Sequence, residues 1–150
     1  MSLALNTAIV ARVRSENLAA YPVAQAAQTV VNAYAIRYGS TATLPTFPCT
    51  TFFEDTGRES LTGDDVGIVQ DSVYRFTIWT KDNTGTTILN IADALEKLFD
   101  MRRGAPPITL TGDNKCYWCD VFSFLQSPFH DDGINAFFGV IAFRFVEARP

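Results

Sequence analysis

Cys116-Tyr117-Trp118-Cys119 is the constellation in this 150-residue chain whose spacing most resembles a working site, because two thiolates at that spacing can share a metal or close a small disulfide ring. A structural zinc takes about four ligands, and only Cys49 and His130 remain to complete such a set. The pair also falls in a stretch read as strand, where residues three apart face opposite sides. A thioredoxin-like site would instead place its first cysteine at a helix N-terminus to depress its pKa. The two thiols therefore read as packed side chains. His130, the one histidine, precedes Asp131 and Asp132, but no Gly-x-Ser-x-Gly elbow exposes a nucleophile, so it reads as part of a polar turn. Asp64, Asp65 and Asp71 depart from the alternating donors and terminal Glu of an EF-hand loop, which leaves weak cation binding at most. Thr84-Gly85-Thr86-Thr87 before a helix could cradle an anion, and ordinary capping accounts for it more simply. Neither HExxH nor a dinucleotide fingerprint nor a Gly-rich phosphate loop occurs. The expectation is a protein without catalytic, cofactor or metal site.

The elements that carry these residues follow from periodicity. Leu5, Ala8, Ile9 and Val13 fall at helical spacing and predict a short first helix. Pro22 suits a first helical turn, and Val23, Ala26, Ala27, Val30, Val31 and Tyr34 keep the period to Gly39. A strand over Thr29 to Tyr38 competes, and we expect helix first with strand near its end. Cys49 to Phe53 is a short strand. Glu54 to Asp71 reads as a long acidic loop, with an extended hairpin as the alternative. Tyr74, Phe76 and Ile78 alternate with Arg75, Thr77 and Trp79 in a strand that ends at Asp82 to Gly85. Ile88, Ile91, Ala92, Leu95, Leu98 and Phe99 then form the apolar stripe of a helix over 86–101, closed by Gly104, Pro106 and Pro107. Ile108 to Thr111 is expected to be extended. Lys115 to Leu125 and Asn135 to Val146 are expected to pair as a hairpin joined through Ser127 to Gly133. In the last strand Phe137, Ile141, Phe143 and Phe145 hold one parity and Phe138, Val140 and Val146 the other, so both faces want cover.

Composition sets the frame. The chain is 47% hydrophobic and 19% charged, enough for a core of its own. A net charge of −4 disfavours a dedicated grip on nucleic acid. No apolar run suits a membrane helix and the N-terminus lacks signal-peptide character, which predicts a soluble protein made in the cytoplasm. Together these predict one α+β domain over 1–150, a mainly antiparallel sheet flanked by two or three helices. Its N-terminal portion, 1–46, is helical, and 47–150 holds the sheet, the helix 86–101 and the acidic loop 54–71.

Phe47-Pro48-Cys49-Thr50-Thr51-Phe52-Phe53, then Tyr74-Arg75-Phe76-Thr77-Ile78-Trp79 leading into Thr86 to Phe99, then Phe138-Gly139-Val140-Ile141-Ala142-Phe143-Arg144-Phe145, occur in an order that resembles the tail-completion and tail-terminator proteins of long-tailed bacteriophages. The likeness begins at Phe47 and is one of order and pattern. It implies a virion protein without catalytic activity or cofactor, a homo-oligomeric ring of about six copies at the head-proximal end of the tail. Its partners would be the tail-tube protein and the head–tail connector, with DNA passing through the bore unbound. In such a ring Glu59, Asp64 and Asp65 would line the bore or meet a neighbouring subunit and repel DNA phosphates, while Trp79 and Phe138 would pack subunits. The alternatives are a small-molecule-binding or enzymatic α+β cone with aromatics lining a pocket, and another virion part such as a tail-tube or head-completion subunit.

Overall fold

A computed structural model describes residues 3–15, 30–32, 47–61, 68–112 and 114–149. Among them the chain forms helix α1 (Leu3–Ser15), strands β1 (Val30–Asn32), β2 (Cys49–Leu61) and β3 (Ile68–Thr80), helix α2 (Thr86–Phe99), a 3-10 turn (Met101–Arg103), and strands β4 (Lys115–Asp131) and β5 (Ala136–Arg149). The five strands make one sheet in the order β1-β2-β3-β5-β4. All pairings are antiparallel except the short parallel ladder of Val30, Val31 and Asn32 on Thr50, Thr51 and Phe52. This is the expected α+β class.

Alternation in β3 decides which side of the sheet becomes the core. Tyr74, Phe76 and Ile78 are fully buried, and their ladder partners Phe52, Phe143 and Ile141 lie on the same side. The apolar stripe of α2 settles onto this surface: Phe99 stands 5.8 Å from Phe76, 5.6 Å from Phe143 and 6.0 Å from Phe145, ring centre to ring centre. Phe76 and Phe143 meet edge to face at 5.4 Å, a geometry that aligns ring edge with ring face electrostatically. On α1, Leu5, Ile9 and Val13 recur every fourth residue, lie on one side of the helix and are buried in the same core. Arg12, on the next face, fastens that helix: its guanidinium donates to the carbonyls of Leu98 at 3.1 Å and of Pro106 and Pro107 at 2.5 Å.

The ends of α2 have local causes. Gly85 takes φ 77° before the first turn, a conformation that favours glycine, and a Cβ there would stand 3.4 Å from Pro128. At the other end Asp100 accepts the Arg102 backbone N–H at 2.9 Å, and Gly104, at φ 88°, closes the 3-10 turn.

Several expectations change. The acidic stretch 54–71 is mostly a hairpin: β2 runs to Leu61, β3 starts at Ile68, and the ladder between them is continuous apart from one shift at Asp55. The acidic residues of this stretch sit in a paired ladder, because a strand needs cover only at every second residue and leaves the others free to be charged. The helix of 86–101 ends at Phe99 and tightens into the 3-10 turn. Residues 108–111 form no strand, although Ile108 and Leu110 are buried. The last two strands run further than expected, to Asp131 and from Ala136, so Ser127 to His130 continue β4 instead of turning. Val30–Asn32 are strand, and the rest of the stretch expected as helix between Pro22 and Gly39 lies outside the described residues.

Candidate functional site

The side of the sheet opposite α2 carries Trp79 and Phe138, the two residues singled out for subunit packing. Across the sheet its register rows read Trp79 beside Phe138 beside Phe129, then Thr51, Thr77 and Val140, then Phe53, Arg75, Ala142 and Ser123, then Val73, Arg144 and Asp120, then Asp71, Val146 and Trp118. Trp79 and Phe138 are thus directly opposed, with ring centres 5.2 Å apart, and Phe129 extends the group at 5.7 Å from Phe138. Trp79 Nε1 donates to Thr51 Oγ1 at 3.1 Å, which fixes the indole across two strands. At the same end Lys81 lies over the Phe47 ring at 4.8 Å and donates to the Asn135 carbonyl.

Further along, the surface turns ionic. Arg75 pairs with Asp55 at 2.8 Å, and Asp55 is the extra residue of the β2 shift. Arg144 and Arg102 share Asp120, at 3.2 and 3.9 Å. Most side chains on this face are half-buried, whereas nearly all of those under α2 are buried. One face is therefore closed by the chain's own helices, and the other is an aromatic row grading into partly open ion pairs.

β4, at the margin of the sheet, departs from strict alternation at Tyr117, at Phe122 and between Leu125 and Phe129. The first two shifts each insert one residue opposite none on β5, and a strand that gains a residue resets which side its next side chain faces. Tyr117 and Phe122 are the inserted residues and stand 59% and 61% exposed, with Phe129 at 47%.

The insertion at Tyr117 also corrects the reading of the cysteines. Cys116 and Cys119 share the core side because the extra residue between them restores parity, and both are buried free thiols. Burial pushes the Cys116 thiol up to about 11 and the Cys119 thiol up as well. A thiol raised in this way is a weak nucleophile near neutrality, because the thiolate is the reactive form.

The remaining expectations are placed as follows. Glu59 lies in β2 in register with Gln70, not in a loop, and Asp64 and Asp65 lie outside the described residues. His130 Nδ1 is 2.7 Å from Asp132 Oδ1 at the exposed turn. The anion cradle before α2 is filled by the chain itself: Asp82 accepts from the Thr84 N–H at 2.9 Å, from Thr84 Oγ1 at 2.8 Å and from Thr87 Oγ1 at 3.1 Å. These bonds, the Thr84 backbone first, hold its carboxyl below the usual range. No three His, Cys, Asp or Glu side chains come together as a metal site among the described residues.

Sequence reasoning missed two groups. One is the exposed ring series on β4, whose signal was hidden by the insertions. The other is a polar cluster on the core side, where Gln70 donates to Ser72 Oγ at 3.0 Å and Ser72 Oγ to Glu54 Oε1 at 3.1 Å, with the buried Glu147 in register beside Gln70. Nothing in the local pattern marks it.

No protein-family model matches the chain, and no curated protein does. Among solved structures it is similar to a chain of the virion of a native gene transfer agent particle, with a TM-score of 0.67 at 12% identity, over 97% of this chain and 96% of that one. At that identity the likeness is one of fold, and it extends over essentially the whole of both chains.

Proposed function

We propose that this protein is a structural subunit of a phage-like virion, and that within it the chain forms the tail-terminator or tail-completion ring where tail joins head. The observation that carries the reading is the whole-length likeness of fold to a chain of a gene transfer agent virion. A sheet with one face closed by its own helices and an aromatic row half open on the other supports it, because a repeating assembly provides cover for such a surface. The chain acts by self-association and docking, without a catalytic step.

In this reading Trp79 and Phe138 stabilise the wall against a neighbour. Glu59, Asp64 and Asp65 supply negative charge at the bore or at a subunit boundary, where it keeps DNA from sticking. The tail-tube protein and the connector are the partners above and below. Negative-stain imaging of the purified protein and gold labelling of particles test the proposal. A single closed ring of about six copies, labelled where tail meets head, is the expected result. A stacked tube would assign the chain to the tail shaft, and a stable monomer retaining a small ligand would replace assembly with binding.

A further inference from the structure

We propose that Asp132-Gly133, at the tip of the β4–β5 hairpin, is a site of spontaneous covalent modification, where the aspartate converts to isoaspartate through a succinimide. The reaction needs no partner and is independent of assembly. This is the one place in the sequence where Asp or Asn precedes Gly. The order matters because the nitrogen of the next residue has to reach the side-chain carbon, and glycine alone puts no side chain in the way. The Asp132 side chain is 99% exposed, so no core packing fixes it. Both flanks of the turn are anchored: the Ile134 N–H donates to Asp131 Oδ1 at 3.0 Å, Lys81 donates to the Asn135 carbonyl, and Asp131 pairs with Ala136 across the ladder. The peptide bond between Asp132 and Gly133 lies between these anchors.

In the first step the Gly133 nitrogen attacks Cγ of Asp132. A C–N bond forms, a C–O bond breaks, and the departing oxygen leaves as water, carrying the amide proton and one further proton. His130 is placed to give that second proton. Its Nδ1 is 2.7 Å from Asp132 Oδ1, and an ionised carboxylate only accepts, so the imidazole N–H donates to the oxygen that has to leave. The ring acts as imidazolium, and the neutral imidazole takes the proton back when water reopens the succinimide. Water entering at Cγ restores aspartate, whereas water entering at the main-chain carbonyl leaves the backbone running through the side chain. The product keeps the mass of the starting chain but has one more methylene in its backbone, in the turn that closes the ladder setting Phe129 against Phe138. Asp71-Ser72 is the internal contrast, since serine is also small. There Ser72 is fully buried and laddered on both sides, to Gly57 and to Phe145, which holds its backbone away from the Asp71 side chain.

The test incubates the purified full chain, warm and at neutral pH, for several weeks and follows its tryptic peptides by chromatography and electron-based fragmentation. The expected result is a second species of equal mass for the peptide from Cys116 to Arg144, with isoaspartate at position 132, and a single species for the peptide from Glu59 to Arg75. Asp132→Glu, which would have to close a six-membered ring, should lose the second species with an unchanged circular dichroism spectrum. His130→Gln should slow conversion several-fold, and added imidazole should restore it, a rescue that a merely structural histidine would not give. A folded chain whose Cys116 to Arg144 peptide stays a single species would overturn the proposal. Equal conversion at Asp71 would overturn the part assigned to the turn, and an unchanged rate in His130→Gln the part assigned to His130.

Discussion

On β3, Tyr74, Phe76 and Ile78 are fully buried beneath the helices, while Val73, Arg75, Thr77 and Trp79, one residue away along the same strand, stay partly open on the other side. The first face is solved within the chain by rings packed at 5.4 to 6.0 Å and a helix fastened over them. The second is an aromatic row followed by Arg–Asp pairs, where each group keeps some contact with water. Under the proposed function the contrast would separate folding from assembly: a closed apolar layer supplies the stability of the single chain, and the half-open mixed layer is left for contact with another one.

Substitutions can press on that division. Phe143→Ala should cost about 3–5 kcal/mol, because it removes a fully buried ring and leaves a cavity beside Phe76 and Phe99; urea unfolding measures it, and the loss should not depend on protein concentration. Arg12→Ala should cost roughly 2 kcal/mol by stripping three carbonyls of their charged donor, with hydrogen exchange rising first in α1. Phe138→Ala should cost the isolated chain about 1–2 kcal/mol, since its ring is only half-buried. Its loss of assembly at low protein concentration should be the larger effect, and equal behaviour of Phe138→Ala and Phe143→Ala in both assays would erase the distinction between the faces.

The thiols probe the closed side more gently. Iodoacetamide at pH 8 should label neither Cys116 nor Cys119 until denaturant is added. Because burial raises both above their unfolded value of 9.0, the unfolded chain releases protons first as pH climbs past 9. Stability should therefore fall from about pH 9 upward through the Cys116 value near 11, and Cys116→Ala should lessen that slope. Smallest of all, Asp93→Asn breaks surface pairs to Lys97 and Arg103 and should change stability by no more than about 0.5 kcal/mol. Lys97, first among its partners, holds the Asp93 carboxyl below the usual 3.8, so even that contribution vanishes as pH drops through this range.

What could be read from residue order was whatever repeats at a fixed period. The stripe from Ile88 to Phe99 and the alternation from Tyr74 to Trp79 each appear where periodicity puts them, and the facing of Trp79 on Phe138 follows once two neighbouring strands are paired in register. What escaped depends on breaks in the period. The inserted Tyr117 turned Cys119 inward against simple parity and Tyr117 itself outward, and no local pattern announces such an insertion. The stretch after Glu54 is illegible for another reason: its charges suit a solvated loop and a hairpin equally, since the ladder to β3 requires only that every second residue find cover.

The clasp of Arg12 has a consequence for the order of events in the cell. Its three carbonyl acceptors lie 86 to 95 positions later in the chain, so on a ribosome adding about 5–20 residues per second the first helix emerges on the order of 5 to 20 s before those carbonyls exist. Thirteen residues are too few to persist as a free helix. The Arg12 clasp thus closes only after Pro107 is made, and a nascent chain halted before Pro106 should expose α1 to protease more than the finished chain does.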